Sequence, residues 1–452
     1  MNSVGLSMIV RDAAQWLPAC LASAKPVTQE IVVADTGSTD ATISIAESLG
    51  ARVLSIPWRN DFAEARNACL AAMKSDWILS LDADEILDSS ALSKFPSLLV
   101  STHAAGFQVT IRNYVLSIDD RVWDRPATPN DSSLPLAAKY PAFVEHQNVR
   151  LFRRAADVYF VGRVHESVGP RLVELGRKLA RAPFFIHHFG LAASAETRER
   201  KNRLYRELGR AKIHERPQDA QAHFELGLVE MDNFGNVDEA LLLFQRACEL
   251  NPRLGVAWFF RGLLLLRAGR LAESLQCLAQ AERHGHATAL VAEAQGDAHY
   301  NSGDFASAIK CYRLAVRREP DSPFFESKLG LARVRSGDAT AGLRDLRRAR
   351  DARPAAPALH DRLVLALVSL GLIQDAAEAA EAKLSAIDSH TPSDFLRTAS
   401  LWAKSLDPAR AAALLQVGLQ VFPHNQELQY SLDELARSVG ITKFSSALDS
   451  TT

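Results

Sequence analysis

Short apolar runs alternate with amphipathic stretches over the first hundred residues. Val4-Gly-Leu-Ser-Met-Ile-Val10, Glu30-Ile-Val-Val-Ala34, Arg52-Val-Leu-Ser-Ile56 and Trp77-Ile-Leu-Ser-Leu81 have the pattern of strands buried on both faces. Between them, residues 12–23 (Trp16, Leu17, Cys20, Leu21), 41–49 and 62–73 set apolar side chains at helical spacing. Ser38, Thr39 and Asp40 are candidate caps for the second of these helices, and Gly50 stands where a helix end favours glycine. Strands and helices alternating at these lengths predict a parallel α/β sheet. Ligands of such sheets sit beyond the carboxyl ends of the strands, where Asp35 and the pair Asp82 and Asp84 fall.

The acidic pair has its own chemistry. On a continuing strand, two carboxylates at i and i+2 would point the same way. At the end of a buried strand they need a positive partner. Mg²⁺ or Mn²⁺ held together with a phosphate-bearing ligand would supply it. The plainer alternative is a solvated Asp-rich turn.

Farther on, Gly106-Phe-Gln-Val-Thr-Ile-Arg112 alternates like a half-buried strand. Residues 124–141 are rich in Pro, Asp and Ser, suiting either an acceptor-facing flap or a disordered surface insertion. Residues 195–216 read as a basic helix, either a solvated connector or a patch attracting an acidic or phosphorylated acceptor.

Beyond residue 216 the pattern repeats. Gly235, Gly269, Gly303, Gly337 and Gly371 are 34 residues apart, as are Ala247, Ala281, Ala315 and Ala349. Asn301-Ser-Gly-Asp-Phe-Ala-Ser-Ala-Ile-Lys-Cys-Tyr-Arg-Leu-Ala315 is the clearest copy. A period of 34 with paired apolar helices resembles tetratricopeptide repeats. About six units fit between residues 217 and 440. Cys277 and Cys311, also one period apart, occupy equivalent packing positions.

Composition sharpens this only at the margins. A net charge of −1 gives no polyanion-binding signal, so no nucleic-acid partner is expected. Five scattered cysteines without metal spacing read as reduced thiols of a cytoplasmic protein. No run is long and apolar enough for a membrane helix, and the start of the chain lacks a signal-peptide pattern.

Four segments carry a family resemblance: Ser7-Met-Ile-Val-Arg11, Val32-Val-Ala-Asp-Thr-Gly-Ser-Thr-Asp40, Asp61-Phe-Ala-Glu-Ala-Arg-Asn67 and Leu81-Asp-Ala-Asp-Glu85. In this order they resemble the family-2 inverting glycosyltransferases of GT-A fold. The nearest likeness is to the bacterial branch with lipopolysaccharide-core and peptide glycosyltransferases. Asn148-Val-Arg-Leu-Phe-Arg153, Gly162-Arg-Val-His-Glu166 and Ile186-His-His-Phe-Gly190 extend the likeness to about residue 195. Where that family usually has Asn-Glu, this chain has Asp12-Ala13.

The resemblance implies that Asp35 contacts the base of a nucleoside-diphosphate sugar, favouring a UDP-sugar. It implies that Arg66 and Asn67 line the nucleotide site, that Asp82 approaches ribose or metal, and that Asp84 is the principal ligand of Mn²⁺ or Mg²⁺. Glu166 is then the candidate general base, with Glu145 a rival, because inverting transfer needs a carboxylate at the acceptor hydroxyl. His187 or His188 is a candidate third metal ligand or diphosphate contact. Adjacent residues on an extended segment face opposite ways, so one of them should enter the site.

The expected architecture is an α/β GT-A-type (Rossmann-like) domain over residues 1–195, a connecting helix over 196–216, an all-α tetratricopeptide repeat solenoid over 217–440 and a polar tail over 441–452. The expected activity is metal-dependent, inverting glycosyl transfer to a glycan, lipid-linked or polypeptide acceptor, in the cytoplasm or at the inner face of the membrane. The repeats would recruit that acceptor or a protein partner. A non-catalytic repeat scaffold with a degenerate nucleotide-sugar-binding domain is the alternative, against which the intact Asp82, Asp84 and Glu166 argue. A nucleotidyltransferase would need a glycine-rich basic loop after the first strand, which is absent.

Overall fold

The computed structural model describes residues 2–100, 104–118, 120–122, 125–190, 195–387 and 390–438. The predicted tail over 441–452, and Asp124 at the start of the Pro-rich segment, lie outside the described residues. The chain divides into two compact units, residues 1–240 and 241–452.

The first unit runs β1 (Val4–Val10), α1 (Leu17–Ala24), β2 (Glu30–Asp35), α2 (Thr42–Ser48), β3 (Arg52–Ser55), α3 (Phe62–Ala72), β4 (Trp77–Ser80), β5 (Glu85–Leu87), α4 (Ala91–Leu99) and β6 (Gly106–Val115). Three short strands follow, β7 (Arg121–Val122), β8 (Arg125–Pro126) and β9 (Thr128–Pro129). Then come β10 (Ala142–Arg153), α5 (Gly169–Glu174), β11 (Leu179–His188), α6 (Ala195–Glu215) and α7 (Ala220–Phe234).

The main sheet has the order β3-β2-β1-β4-β10-β6-β11-β5, with β9 alongside β10. Its first four strands are parallel. β10 is antiparallel to β4 and β6, and β11 is parallel to β6 but antiparallel to β5. The sheet is therefore mixed, where the sequence predicts a parallel one. Among the described residues between β6 and β10 there is no α-helix to carry a parallel crossover, so the chain returns antiparallel.

Alternate side chains feed two cores. Val4, Leu6, Met8, Val10, Val33, Trp77 and Leu79 pack under α1 and α4. Val32, Ala34 and Ile78 pack under α3 and α5. Covering both faces explains why these strands read as continuous apolar runs.

Local details depart from the pattern-based expectation. The first helix starts at Leu17 instead of residue 12, because Asp12 takes a left-handed φ of +49°. Ala41, without a side-chain bond, occupies the cap position of α2, while Asp40 accepts from the Thr42 backbone N–H at 2.9 Å. Asp82 and Asp84 stand on a turn between β4 and β5, closed by the Glu85 N–H on the Asp82 carbonyl at 3.0 Å, and not on a continuing strand. The described part of the Pro-rich segment is tied down: β9 pairs with β10, and the Asn130 amide donates to the carbonyls of Ala137 and Tyr140.

The remaining elements are helices: α8 (Val237–Leu250), α9 (Gly255–Arg267), α10 (Leu271–Arg283), α11 (Ala289–Asn301), α12 (Phe305–Arg318), α13 (Pro323–Arg335), α14 (Ala339–Ala352), α15 (Pro357–Ser369), α16 (Ile373–Ala386), α17 (Pro392–Lys404), α18 (Pro408–Val421) and α19 (Gln426–Ser438). From α9 to α18 they pack as consecutive pairs. Gly269, Gly303, Gly337 and Gly371 turn between the two helices of a pair with φ between +72° and +99°, a conformation that costs glycine little.

A second set with the same period sits inside the pairs. Gly262 faces Leu278, Gly296 faces Tyr312, and Gly330 faces Leu346 and the Gly342 carbonyl. Ala281, Ala315 and Ala349 are fully buried. Cys277 is buried and Cys311 partly so, and burial raises both thiol pKa values. All five cysteines are free. Among the described residues no helix is long and apolar enough to cross a membrane.

A Cβ at Gly330 would lie 2.8 Å from the Gly342 carbonyl oxygen, which is backbone and cannot yield cheaply. Gly330→Val should therefore destabilise the repeat unit by about 1–3 kcal/mol, as overpacking does. An unchanged urea midpoint would show that the helices of this pair do not approach so closely.

Candidate active site

The register of β1 with β2 and β4, Val10 opposite Asp35 and Ser7 opposite Ser80, delivers Asp35 and the Asp82–Asp84 turn to one edge of the sheet. Asp35 is buried, and its carboxylate accepts from the backbone N–H groups of Gly37 at 3.0 Å and Ser38 at 3.1 Å. The neighbouring loop is sewn to this one. Asp12 accepts from the Thr39 N–H at 2.8 Å, and its own N–H donates to the Ser38 hydroxyl at 2.9 Å. The residue that departs from the family pattern thus braces two strand-end loops.

The centre is a charge cluster. Arg66, on α3, is buried. Its Nε donates to Glu166 Oε1 at 2.5 Å, Nη1 to Ser80 Oγ at 3.2 Å, and Nη2 to Asp82 Oδ1. Arg150, on β10, reaches Asp82 Oδ2 at 3.0 Å and Glu85 Oε1 at 2.5 Å. The other oxygen of Glu85 accepts the Asp82 N–H at 2.8 Å. Burial pushes the Asp82 carboxyl up, but Arg150 and Arg66 outweigh it and hold the group well below the usual carboxylate range. Burial raises Glu85 to about 7, against the pull of Arg150. Glu85 and Arg150 lie in segments quoted above, yet pattern alone assigns them no role. An arginine set among the apolar residues Val149, Leu151 and Phe152 was the available signal for Arg150.

Asp84 faces His188. Its Oδ2 is 3.6 Å from His188 Nε2, while His188 Nδ1 pairs with Asn113 Oδ1 at 2.7 Å. Burial lowers the His188 pKa, and Asp84 outweighs burial and raises it. His187 turns the other way. It is buried, with Nδ1 2.7 Å from the Tyr114 hydroxyl and Nε2 3.3 Å from Asp88, and burial lowers its pKa.

The donor set at Asp84 and His188 fits a divalent cation. A Cβ on Gly190 would sit 2.6 Å from His188 Nε2 and 3.0 Å from Asp84 Oδ2, so the glycine keeps a small polar cradle open. Among the described residues no three His, Cys, Asp or Glu side chains are arranged to hold a metal ion. Protein ligands would thus be few, the rest coming from substrate oxygens and water, as Mg²⁺ sites usually have it. Asp82, with both oxygens on arginines, is not placed to join them as it stands.

Glu166 belongs to a loop closed by reciprocal Val161–Ser167 backbone bonds at 3.1 and 3.2 Å. Gly162 and His165 both take positive φ, +103° and +55°. For His165 this is uncommon and costs energy that the surrounding contacts must offset. Asn67 grips the start of this loop: its amide donates to the Phe160 carbonyl at 2.9 Å and accepts the Phe160 N–H at 2.7 Å. Glu145 is exposed on β10 and paired with Arg112 at 3.0 Å. It lies about 16 Å along the strand from Arg150, at a rise of roughly 3.3 Å per residue.

One side of the cluster comes from α6, the helix whose sequence reads as either a solvated connector or a basic patch. Glu215 of α6 binds Arg163 through two hydrogen bonds, at 2.9 and 2.5 Å. Tyr205 has its ring 6.3 Å from that of Phe62 and 5.9 Å from that of His165. Arg200 approaches Asp12 to 4.0 Å. Lys201 Nζ lies 5.5 Å from the Tyr205 ring centre. An i, i+4 aromatic–cation pair within a very polar helix was the only sequence signal for these residues.

Carboxylates gathered at the carboxyl ends of parallel strands define an α/β ligand-binding domain. The particular family follows from comparison with known proteins. Residues 6–160 match the glycosyl transferase family 2 model. Residues 202–254, 293–322 and 327–389 match tetratricopeptide repeat models. The chain thus carries a family-2 glycosyltransferase domain followed by tetratricopeptide repeats.

A TPR repeat-containing protein of Synechococcus elongatus is 49% identical over 109 residues, 24% of this chain and 27% of that one. An uncharacterized glycosyltransferase of Rickettsia bellii is 34% identical over 100 residues, 22% of this chain and 34% of that one. The lipopolysaccharide core biosynthesis glycosyltransferase LpsC of Rhizobium meliloti is 30% identical over 148 residues, 31% of this chain and 48% of that one. In each case the match spans less than half the length of the relative.

The buried Arg66 bridges Glu166, nearly buried, and Asp82, whose side chain is 34% exposed. Arg66→Met should destabilise the first unit by about 3–5 kcal/mol, the usual result of removing one partner of a buried ion pair. Chemical unfolding of the full chain measures this. A loss below 1 kcal/mol would mean that water, not Arg66, solvates Glu166 and Asp82.

Proposed function

We propose that the first unit is a metal-dependent, inverting glycosyltransferase that takes a sugar from a nucleoside-diphosphate donor, with UDP-sugars favoured. The observation that carries this reading is the Asp84–His188 pair beside the Arg66-linked Asp82 and Glu166, inside a domain that matches family 2.

Asp35 would receive the base, and the backbone around Gly37 and Ser38 would shape that pocket. Asp84 and His188 would hold Mn²⁺ or Mg²⁺, with His187 left as packing. Bound there with the donor, the cation would supply Lewis-acid stabilisation of the leaving diphosphate. Asp82 would stay clamped by its arginines, within reach of the ribose. Asn67 would act through the loop it holds. Glu166, oriented by Arg66, would take the proton from the acceptor hydroxyl as that oxygen attacks the anomeric carbon opposite the diphosphate. Configuration would invert.

For the acceptor we infer a glycan, a lipid-linked glycan or a polypeptide, recruited by the repeats or by a protein docked on them. The name of the LpsC relative supports the glycan and lipid-linked classes. Free cysteines throughout support a reducing, cytoplasmic setting, where lipid-linked acceptors are met at the inner face of the membrane.

A panel of nucleotide sugars with Mn²⁺ tests the donor class: the cognate donor should raise the unfolding temperature. Failure of every nucleotide sugar to bind would sink this reading. Asp84→Asn should abolish Mn²⁺-dependent donor hydrolysis while leaving the protein folded, and retention of wild-type turnover would remove Asp84 from the cation site. Glu166→Gln should keep donor affinity and slow transfer by about 10²-fold or more. Unchanged transfer would move the base elsewhere, with Glu145 the next candidate.

A further inference from the structure

We propose that Lys201, on α6, is a donor-binding residue whose ammonium takes the diphosphate of the nucleotide sugar. The inference rests on the donor-site reading above and adds a residue beyond the segment the family model matches.

The first support is the way α6 is held. Arg163 binds Glu215 at one end, the Phe62 and His165 rings flank Tyr205 in the middle, and Asp12 approaches Arg200 near the other end. Lys201 lies one turn from Tyr205, so its side chain shares the face that carries Tyr205 toward the Glu166 loop. The helix is thus placed by contacts that do not involve Lys201.

The second support is that the lysine, resting against the Tyr205 side chain, is held by no carboxylate. It is exposed, and among the described residues no carboxylate oxygen lies within 4.0 Å of its Nζ, although Asp84 and Asp82 are near enough to raise its pKa, after Tyr205 and against burial. The other cations of the site are spent. Arg66 is bound to Asp82 and Glu166, and Arg150 to Asp82 and Glu85. Two arginines already face the carboxylates of Asp82, Glu85 and Glu166, with Asp84 beside them. A diphosphate arriving here adds negative charge that these arginines cannot neutralise without releasing their partners. A long, flexible, singly charged side chain poised at the edge supplies a point charge for phosphate at little cost in rearrangement.

The test is a binding measurement on the full chain with Mn²⁺, independent of turnover. Calorimetry would compare the tightest binder among UDP, GDP and dTDP with its own nucleoside. Lys201→Met should weaken the diphosphate by about ten- to a hundredfold, as loss of a hydrogen bond to a charged group does. Affinity for the nucleoside, which lacks phosphate, should stay within about twofold. Lys201→Arg should recover most of the loss, and Arg203→Met, which removes an exposed cation of the same helix, should change neither value. Equal weakening of nucleoside and diphosphate, or no weakening of either, overturns the assignment of Lys201. If the unmutated chain binds none of the three diphosphates, the donor-site reading itself falls, and Lys201 with it.

Discussion

The site depends on two arginines that hold three carboxylates in a region largely closed to water. Glu85 and Arg66 are buried, and Arg150 is nearly so. Moving such groups out of water costs several kcal/mol each unless they are paired and hydrogen-bonded. The pairing comes from four separate parts of the fold: α3 brings Arg66, the β4–β5 turn and the start of β5 bring Asp82 and Glu85, β10 brings Arg150, and the loop between Val161 and Ser167 brings Glu166. Shifting any one element strands a charge. The parallel half of the sheet, its antiparallel extension and the Glu166 loop are therefore bound to a single arrangement. A binding site built on such a cluster arrives pre-organised, which is what electrostatic catalysis requires.

Preorganisation also divides labour among the acids. Asp82 is saturated by arginine, whereas Asp84, two residues on, meets a histidine and an open cradle. The turn geometry makes this division possible. On a regular strand the two carboxylates would have shared one environment. The break after Ser80 lets one face inward to the arginines and the other face His188 on β11. The same sorting applies to the histidine pair, where strand alternation sends His188 to Asp84 and His187 to Tyr114 and Asp88.

How much of this the sequence discloses follows from how local each feature is. The first four strands are legible because burial on both faces leaves uninterrupted apolar runs, and the repeats because a 34-residue period recurs in glycine and alanine. The antiparallel half is not, since β10 beside β4 and β11 beside β5 are pairings between distant segments. Asp35, Arg66, Asp82, Asp84 and Glu166 could be named from motif resemblance. That Asn67 would be engaged by the Phe160 backbone could not, because its partner is 93 residues away. Glu85 and Arg150 explain each other only once they meet in space. A buried acid and a buried base read separately look like faults in a strand pattern.

The most instructive gap is α6. A helix polar on most sides buries little apolar surface, here Leu208 and part of the Tyr205 ring, so its sequence announces no partner. Most of its other partners are charges. Arg206 binds Glu230 of α7 through two hydrogen bonds at 2.7 and 2.8 Å, and Arg210 reaches both Glu230 and Glu239. Glu230 is fully buried, so this pairing is obligatory in the way the Arg66 cluster is. On its other contacts the same helix meets Arg163, Phe62 and His165 beside the site. α6 is thus held on two sides: one set of its side chains is fixed by the site, another by α7. Because ion pairs are directional where apolar contacts slide, a rotation of α6 that kept Glu230 paired would have to give up the Glu215–Arg163 pair or the Tyr205 contacts. The charge pattern that makes the helix look featureless in sequence is what fixes its rotation against the site.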